Sequence, residues 1–265
     1  MTAARRRRGT LGTWQGRAFL SVGGAVYLGP AGDTTPHAHH ALQVCVALDA
    51  PFRLRRGTGR WREYEAALVP ADVPHQLDGG WSDLLLLYVE PEGLEGHPWL
   101  VGRGADVRTL EPSVASALQR SVRKLVASSP DARTLFSELL PGALPDAEPP
   151  ATIDPRITRA IERLRASPVE RTSLIDLARG VGLSASRFRH LFRREVGMSA
   201  QSYVVWLRIY AACTSLAQGA SLSDAALEAG FSDAAHFTRT FRRTFGLAPS
   251  QVAGRLTLVG GLGHR

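Results

Sequence analysis

The sequence predicts an α+β chain: a small β-barrel with one or two helices, then an all-α domain holding two helix-turn-helix motifs joined by a long helix. Three features carry that expectation. Between about Arg17 and Val89, short apolar runs alternate with Gly, Pro and Asp clusters. From Pro112 onward, apolar residues recur at helical spacing. One twelve-residue segment is written twice, as SLIDLARGVGLS at Ser173–Ser184 and as SLSDAALEAGFS at Ser221–Ser232.

The strand reading rests on AFLSV, ALQVCVAL and DLLLLYV, rich in β-branched and apolar residues and punctuated by GPAGD, GTGR, PAD and DGG. Many short strands at this spacing imply a sandwich or small barrel. In SVASALQRSVRKLVASS, Val114, Leu118, Val122 and Leu125/Val126 share a helical face. That helix could cover the barrel or pair with a second copy in a homodimer. ARTLFSELL reads as a second short helix. The stretch PGALPDAEPPATIDP, Pro141–Pro155, holds five prolines in fifteen residues and reads as a linker. Beyond it, Ile157, Ala160/Ile161 and Leu164 share one face, and everything that follows reads helical.

Charge separates the two halves. Residues 1–150 hold 16 Lys+Arg and 16 Asp+Glu, whereas residues 151–265 hold 16 Arg and 8 Asp+Glu, so the net +8 of the 265-residue chain lies in the second half. A neutral half joined to a basic half suggests one module for a small partner and one for a polyanion. No apolar run is long enough to span a bilayer, and no membrane partner is expected. Gln15 and Arg17 interrupt the apolar stretch near the start, which argues against a secretory signal. Arg5–Arg8 read as a solvated basic tail. Cys45 and Cys213 have no metal or redox spacing and read as buried thiols in a reducing cytosol.

The duplicated segment has a physical rationale. Each copy has a small residue, three spacers and a glycine: Ala178 with Gly182, and Ala226 with Gly230. The small residue lets two helices cross closely, the glycine takes the left-handed backbone that ends the first, and Ser184 or Ser232 can cap the next. That is a helix-turn-helix written twice. The likeness continues with a one-residue slip: Phe188, Phe192, Arg193, Arg194 and Gly197 recur as Phe237, Phe241, Arg242, Arg243 and Gly246. The phenylalanines are four apart and face inward. The outward face of the first copy then carries Ser186, Arg189, His190 and Arg193. The second presents Ala235, Thr238, Arg239 and Arg242, with His236 at the edge. Guanidinium, imidazole and hydroxyl groups on one exposed helix suit base edges and phosphates of double-stranded DNA. The helix between the copies has about 19 residues, hence about 28 Å, comparable to the roughly 34 Å between successive major grooves. One chain could therefore reach two grooves without a dimer.

GVGLSASRFRHLFRREVGMSAQSYV and DAALEAGFSDAAHFTRTFRRTFGLAPSQ resemble the AraC/XylS family of bacterial transcription regulators, over about Ile157–Val252. The resemblance implies a seven-helix DNA-binding domain, a two-part operator, and control of RNA polymerase at a promoter. By position it places base contacts on Ser186, Arg189 and His190, and on Ala235, His236, Thr238 and Arg239. The family usually shows an aromatic residue soon after the proline of the last motif, and Pro249-Ser250-Gln251-Val252 lacks it.

The first half carries three histidines of interest. His37 and His39 alternate on a strand, so both rings point to one face, and His75 arrives from a later strand. Three imidazoles could hold a divalent metal. They could equally hydrogen-bond within the barrel mouth or touch an effector directly. LVPADVPH, Leu68–His75, and the His37–Gln43 stretch resemble the cupin-like sensor domains that precede many AraC-type domains, over about Phe19–Glu92. In that resemblance Gln43 stands where a metal-binding cupin usually has Glu. Trp61, Trp81 and Tyr88 read as core or rim packing. The expected division is a basic tail 1–16, a cupin-like sensor 17–140, a linker 141–155, a double helix-turn-helix domain 156–255 and a tail 256–265. The leading expectation is a cytoplasmic, nucleoid-associated transcription regulator responding to an unknown small effector, with no enzymatic activity and no certain cofactor. A metal-dependent cupin enzyme or metal sensor fused to a DNA-binding module, and a nonspecific architectural DNA binder, are the competing expectations.

Overall fold

The computed structural model describes residues 14–21, 23–92, 106–127, 132–143, 153–167 and 173–258. The expected basic tail lies largely outside them. Nine strands come first: β1 (Arg17–Ser21), β2 (Gly24–Pro30), β3 (Leu42–Ala47), β4 (Phe52–Arg56), β5 (Arg62–Tyr64), β6 (Ala66–Val69), β7 (His75–Asp78), β8 (Asp83–Val89) and β9 (Arg108–Thr109). They form two sheets. One runs β1-β2-β8-β3-β6-β9 with antiparallel neighbours, and the other runs β5-β4-β7. Among the described residues the small barrel is thus two facing sheets and not a continuously bonded cylinder.

The leucine run of β8 has a direct explanation. Leu84 and Leu86 point into the space between the sheets, against Phe52, Leu54 and Leu77. Leu85, Leu87 and Val89 point to the opposite face, which two helices cover. A strand buried on both faces loses its polar alternation. The covering helices are α1 (Pro112–Ala127) and α2 (Ala132–Ala143). Ala115, Leu118, Val122 and Leu125 of α1 are buried on this face, so these residues cover the sheet. Helix α2 continues through Pro141 to Ala143, carrying helix into the first residues expected as linker.

The helical domain comprises α3 (Pro155–Ala166), α4 (Leu174–Gly180), α5 (Ala185–Val196), α6 (Ala200–Ala217), α7 (Leu222–Glu228) and α8 (Ala234–Phe245). Ile157, Ala160, Ile161 and Leu164 of α3 pack with Leu177, Phe188 and Phe192 in a core belonging to the first motif. The second motif is built differently. Phe237, Phe241 and the far half of α6, including Ile209, Cys213 and Leu216, share one continuous core with the interior of the sheets. Cys45 and Cys213 lie in this core as free, buried thiols.

Where the family resemblance implied a seventh α-helix, the chain makes two 3₁₀ turns, Pro249–Gln251 and Ala253–Arg255. The Gln251 side chain accepts a hydrogen bond from the Ala248 N–H at 2.7 Å and holds the first of them. The expected tail also differs: Leu256–Leu258 forms β10, parallel to β1 at the edge of the larger sheet.

Candidate nucleic-acid interface and the site beneath it

The turns of the two helix-turn-helix copies share their closing hydrogen bond. Leu183 N–H donates to the Ala178 carbonyl and Phe231 N–H to the Ala226 carbonyl, each at 2.9 Å. Gly182 and Gly230 take φ of 74° and 79°, the left-handed turn that a side chain would oppose. Ala178 and Ala226 are fully buried at the crossings.

Helix α5 is capped by Ser184, whose hydroxyl accepts from Arg187 N–H at 3.3 Å. The second copy departs from expectation. Its cap is Asp233, whose carboxylate accepts from His236 N–H at 2.7 Å, and not Ser232. Asp233 therefore takes the place of Ser184, and Ser232, between the matched Phe231 and the cap, is the extra residue behind the one-residue slip. Ser232 Oγ instead lies 3.1 Å from His236 Nδ1, and Phe231 meets the same ring edge-on at 5.3 Å. His236 is therefore held at the helix start.

Ser186, Arg189, His190 and Arg193 are exposed on α5, and Ala235, His236, Arg239 and Arg242 on α8, with Thr238 half-exposed. Phe188, Phe192, Phe237 and Phe241 hold the opposite faces in the cores. Among the described residues Arg189, Arg193, Arg239 and Arg242 make no ion pair, which leaves their guanidinium donors available. Helix α6 spans 18 residues, about 27 Å.

The three barrel histidines do converge: their ligand-capable nitrogens lie within 4.8 Å of one another. Each Nδ1 meets a backbone carbonyl, His37 with Thr35 at 2.9 Å, His39 with Ala41 at 2.7 Å and His75 with Val73 at 2.9 Å. Those contacts place the ring proton on Nδ1 and leave a lone pair on each Nε2. The Gln43 Oε1 position, which the amide's oxygen and nitrogen can exchange by a flip, lies 3.0 Å from His39 Nε2 and 3.1 Å from His75 Nε2. Two lone pairs need two donors, so the amide meets them with its NH2 end, one hydrogen to each. Burial, then the neighbouring His39, pushes the His37 pKa down to about 3. Burial also lowers His39 and His75, so all three rings are neutral. The residues fit a hydrogen-bonded array; a metal would have to displace the Gln43 amide and, among the described residues, the converging ligand set holds histidines alone. Of the aromatics, Trp61 sits on the sheet surface under Arg55, 4.8 Å from its ring centre. Trp81 occupies a turn, and Tyr88 packs edge-on to Phe245 at 6.1 Å.

The array is bolted to the second motif. Thr35 N–H donates to the Gly246 carbonyl at 2.7 Å, at the C-terminal end of α8. A Cβ on Gly246 would lie 2.5 Å from the Thr35 carbonyl oxygen and 2.6 Å from His37 Nδ1. Nothing in the sequence marks Gly246 as an interdomain contact, because its role as a helix stop already accounts for it.

A second junction escaped the sequence reading altogether. Glu90, just after β8, accepts from Arg165 of α3 at 2.6 Å and from the Trp206 indole of α6 at 2.7 Å. Arg165 also donates to the Tyr203 hydroxyl at 3.0 Å. Beside them His40 Nε2 lies 2.7 Å from Glu92. Burial raises the Glu90 pKa, with the charge of Glu92 adding to it. Burial opposes the charged form of His40, but Glu92 overrides it and pushes the pKa up to about 10. These residues are distant in the chain; the available signal was two glutamates in VEPE directly after the apolar run DLLLLYV.

A two-sheet, barrel-like module fused to a double helix-turn-helix is thus the class that fold and site define. Residues 177–255 match a family model described as a helix-turn-helix domain. The virulence regulon transcriptional activator VirF of Yersinia enterocolitica is 39% identical over 87 residues, 32% of this chain and 31% of that protein. The HTH-type transcriptional regulator RipA of Corynebacterium glutamicum is 32% identical over 137 residues, 51% of this chain and 39% of that one. The chain thus spans between 31% and 39% of the length of these curated relatives. Two crystal structures of ToxT from Vibrio cholerae share the whole fold. The apo form of a point variant from strain SCE256 has a TM-score of 0.60 at 11% identity, covering 89% of this chain and 99% of that one. The O395 protein has a TM-score of 0.57 at 13% identity, covering 92% and 98%. Residues 177–255 are thus similar to a helix-turn-helix domain, in a chain whose fold is like that of ToxT.

Proposed function

We propose that this protein is a sequence-specific DNA-binding transcription regulator whose sensor domain responds to a small effector. The observation that carries the reading is the pair of equivalent helices, each presenting unpaired arginines on an exposed face. Arg189, His190 and Ser186 on one helix, and Arg239, Thr238, His236 and Ala235 on the other, read base edges, while Arg193 and Arg242 meet phosphates. Ala235 offers only an apolar contact, suited to a thymine methyl. The buried apolar stripe of α1 favours a two-headed monomer on operator DNA, with RNA polymerase as the downstream partner. No described helix is long and apolar enough to cross a membrane, and two free thiols fit a reducing cytoplasm. ToxT has been solved with an unsaturated fatty acid bound, which supports effector sensing on this fold. Catalysis is no part of the proposal.

Binding-site selection with the full chain tests it. A preferred sequence should emerge, and Arg239→Ala should lose about 1–3 kcal/mol on it with folding intact. Equal affinity for all sequences, with only a steep salt dependence, would replace this reading with nonspecific architectural binding. A metal-responsive barrel is the second reading, favoured by the convergence of His37, His39 and His75 and opposed by Gln43.

A further inference from the structure

A cleft of about 270 Å³ opens where three parts of the molecule meet: the sensor segment Ala38–His40 with Asp72, helix α6, and the last turn of α8. Anything bound there touches the sensor and the second helix-turn-helix at once. Three observations mark it as built for a ligand. His40 is 2% exposed, and its Nδ1 has no hydrogen-bond partner. Its other nitrogen is fixed on Glu92, so the ring cannot turn to satisfy Nδ1 elsewhere. The nearest polar group is the Asp72 carboxylate at 4.0 Å, too far for a hydrogen bond. Asp72 itself has φ of 62° and is held there by its N–H donating to the His39 carbonyl at 2.8 Å. Such a conformation costs free energy and recurs at ligand clamps. On the facing wall Arg243 is exposed and makes no ion pair among the described residues. Between them lie Trp206, Val205 and Ile209. The Trp206 N–H is engaged by Glu90, which fixes the indole in place.

We propose that this cleft binds a small hydroxycarboxylic acid with an apolar framework: its hydroxyl bridges His40 and Asp72, its carboxylate pairs with Arg243, and its hydrocarbon lies on Trp206, Val205 and Ile209. A hydroxyl suits the 4.0 Å gap because it both donates and accepts. It therefore satisfies the imidazole nitrogen whichever way that nitrogen is protonated. A guanidinium with no internal partner pairs with a carboxylate in preference to a neutral group. Bridging Asp72 to the end of α8 fixes the second motif relative to the barrel, so the ligand biases DNA binding by differential contact with one arrangement. This inference rests on the effector-responsive reading above.

The test uses the full chain and four probes: 3-phenyllactate and 4-hydroxyphenylacetate, with their deoxy counterparts 3-phenylpropionate and phenylacetate. Binding is read by calorimetry and thermal shift. At least one hydroxy acid should bind about tenfold or more tightly than its deoxy partner, as expected for a hydrogen bond to a charged group. Asp72→Gly, which the backbone accepts without strain, and Arg243→Met should each lose about that factor while folding is retained. Failure of all four acids to bind, equal binding of the deoxy acids, or undiminished binding by both variants overturns the inference. Affinity for a selected DNA site is measured on the same preparations without acid. Specific DNA binding with no acid binding defeats only the cleft assignment; absence of specific DNA binding defeats the regulator reading itself.

Discussion

At Gln43 a neutral amide stands among three neutral imidazoles, and its two hydrogens occupy two of the three nitrogens that a metal would need. Replacement by glutamate changes both terms. It removes the NH2 group that satisfies His39 and His75, and it supplies the anionic oxygen missing from the set. Gln43→Glu is therefore expected to bind Zn²⁺ at least about tenfold more tightly than the natural protein, a difference of about 1.4 kcal/mol. Metal content after equilibration with zinc and dialysis checks this, with His75→Ala as the ligand-loss control. About one tightly held metal per natural chain, lost in His75→Ala, would restore the metal-sensor reading and show that the amide yields.

At the scale of elements, the second recognition helix depends on one carboxylate. Asp233 caps α8 and closes the longer turn, while Ser232 turns aside to His236. Asp233→Ala should cost about 1 kcal/mol of stability. It should also free the N-terminal turn of α8, so affinity for the half-site read by that helix falls more than affinity for the other. Footprinting of both half-sites, paired with denaturant melts, reads the two effects; equal weakening of both half-sites would show that the cap does not orient the helix. The helices were legible because their signals are local: a cap, a period of inward phenylalanines and a stopping glycine fix α4 and α5 at the expected residues. The slip of one residue was legible too, but not which residue it added, since Ser232 and Asp233 are both good caps. The strands were legible in kind, and the double burial of β8 explains why DLLLLYV lacks alternation. The pairing of β10 with β1 was not, because nothing within a three-residue strand records a partner at the other end of the chain.

Across the whole molecule, the two motifs are tied to the β-sheet domain by different physics. The second shares its apolar core and clamps Gly246; the first is joined through the Glu90, Arg165 and Trp206 junction. That junction was invisible in sequence because its members lie just after β8, on α3 and on α6, and only the fold brings them together. Arg165→Met removes the cation from a buried carboxylate, and breaking a buried pair costs about 3 kcal/mol or more. Without Arg165 the Glu90 pKa, already raised by burial, rises further, so the carboxyl takes up a proton to avoid the uncompensated charge. A folded-state pKa above the unfolded value means the folded variant holds more protons, and its stability falls as pH rises. The deficit of Arg165→Met relative to the natural protein should therefore grow from mildly acidic to alkaline pH. Glu90→Gln added to it should flatten that dependence and recover part of the loss, because the amide still accepts from Trp206. Melting curves of the three proteins across pH test this, and a deficit independent of pH would show that Glu90 finds another cation when Arg165 is gone. If the deficit does grow, DNA affinity measured along the same pH series reports whether the first motif, once unlatched from the sensor, still reads its half-site together with the second.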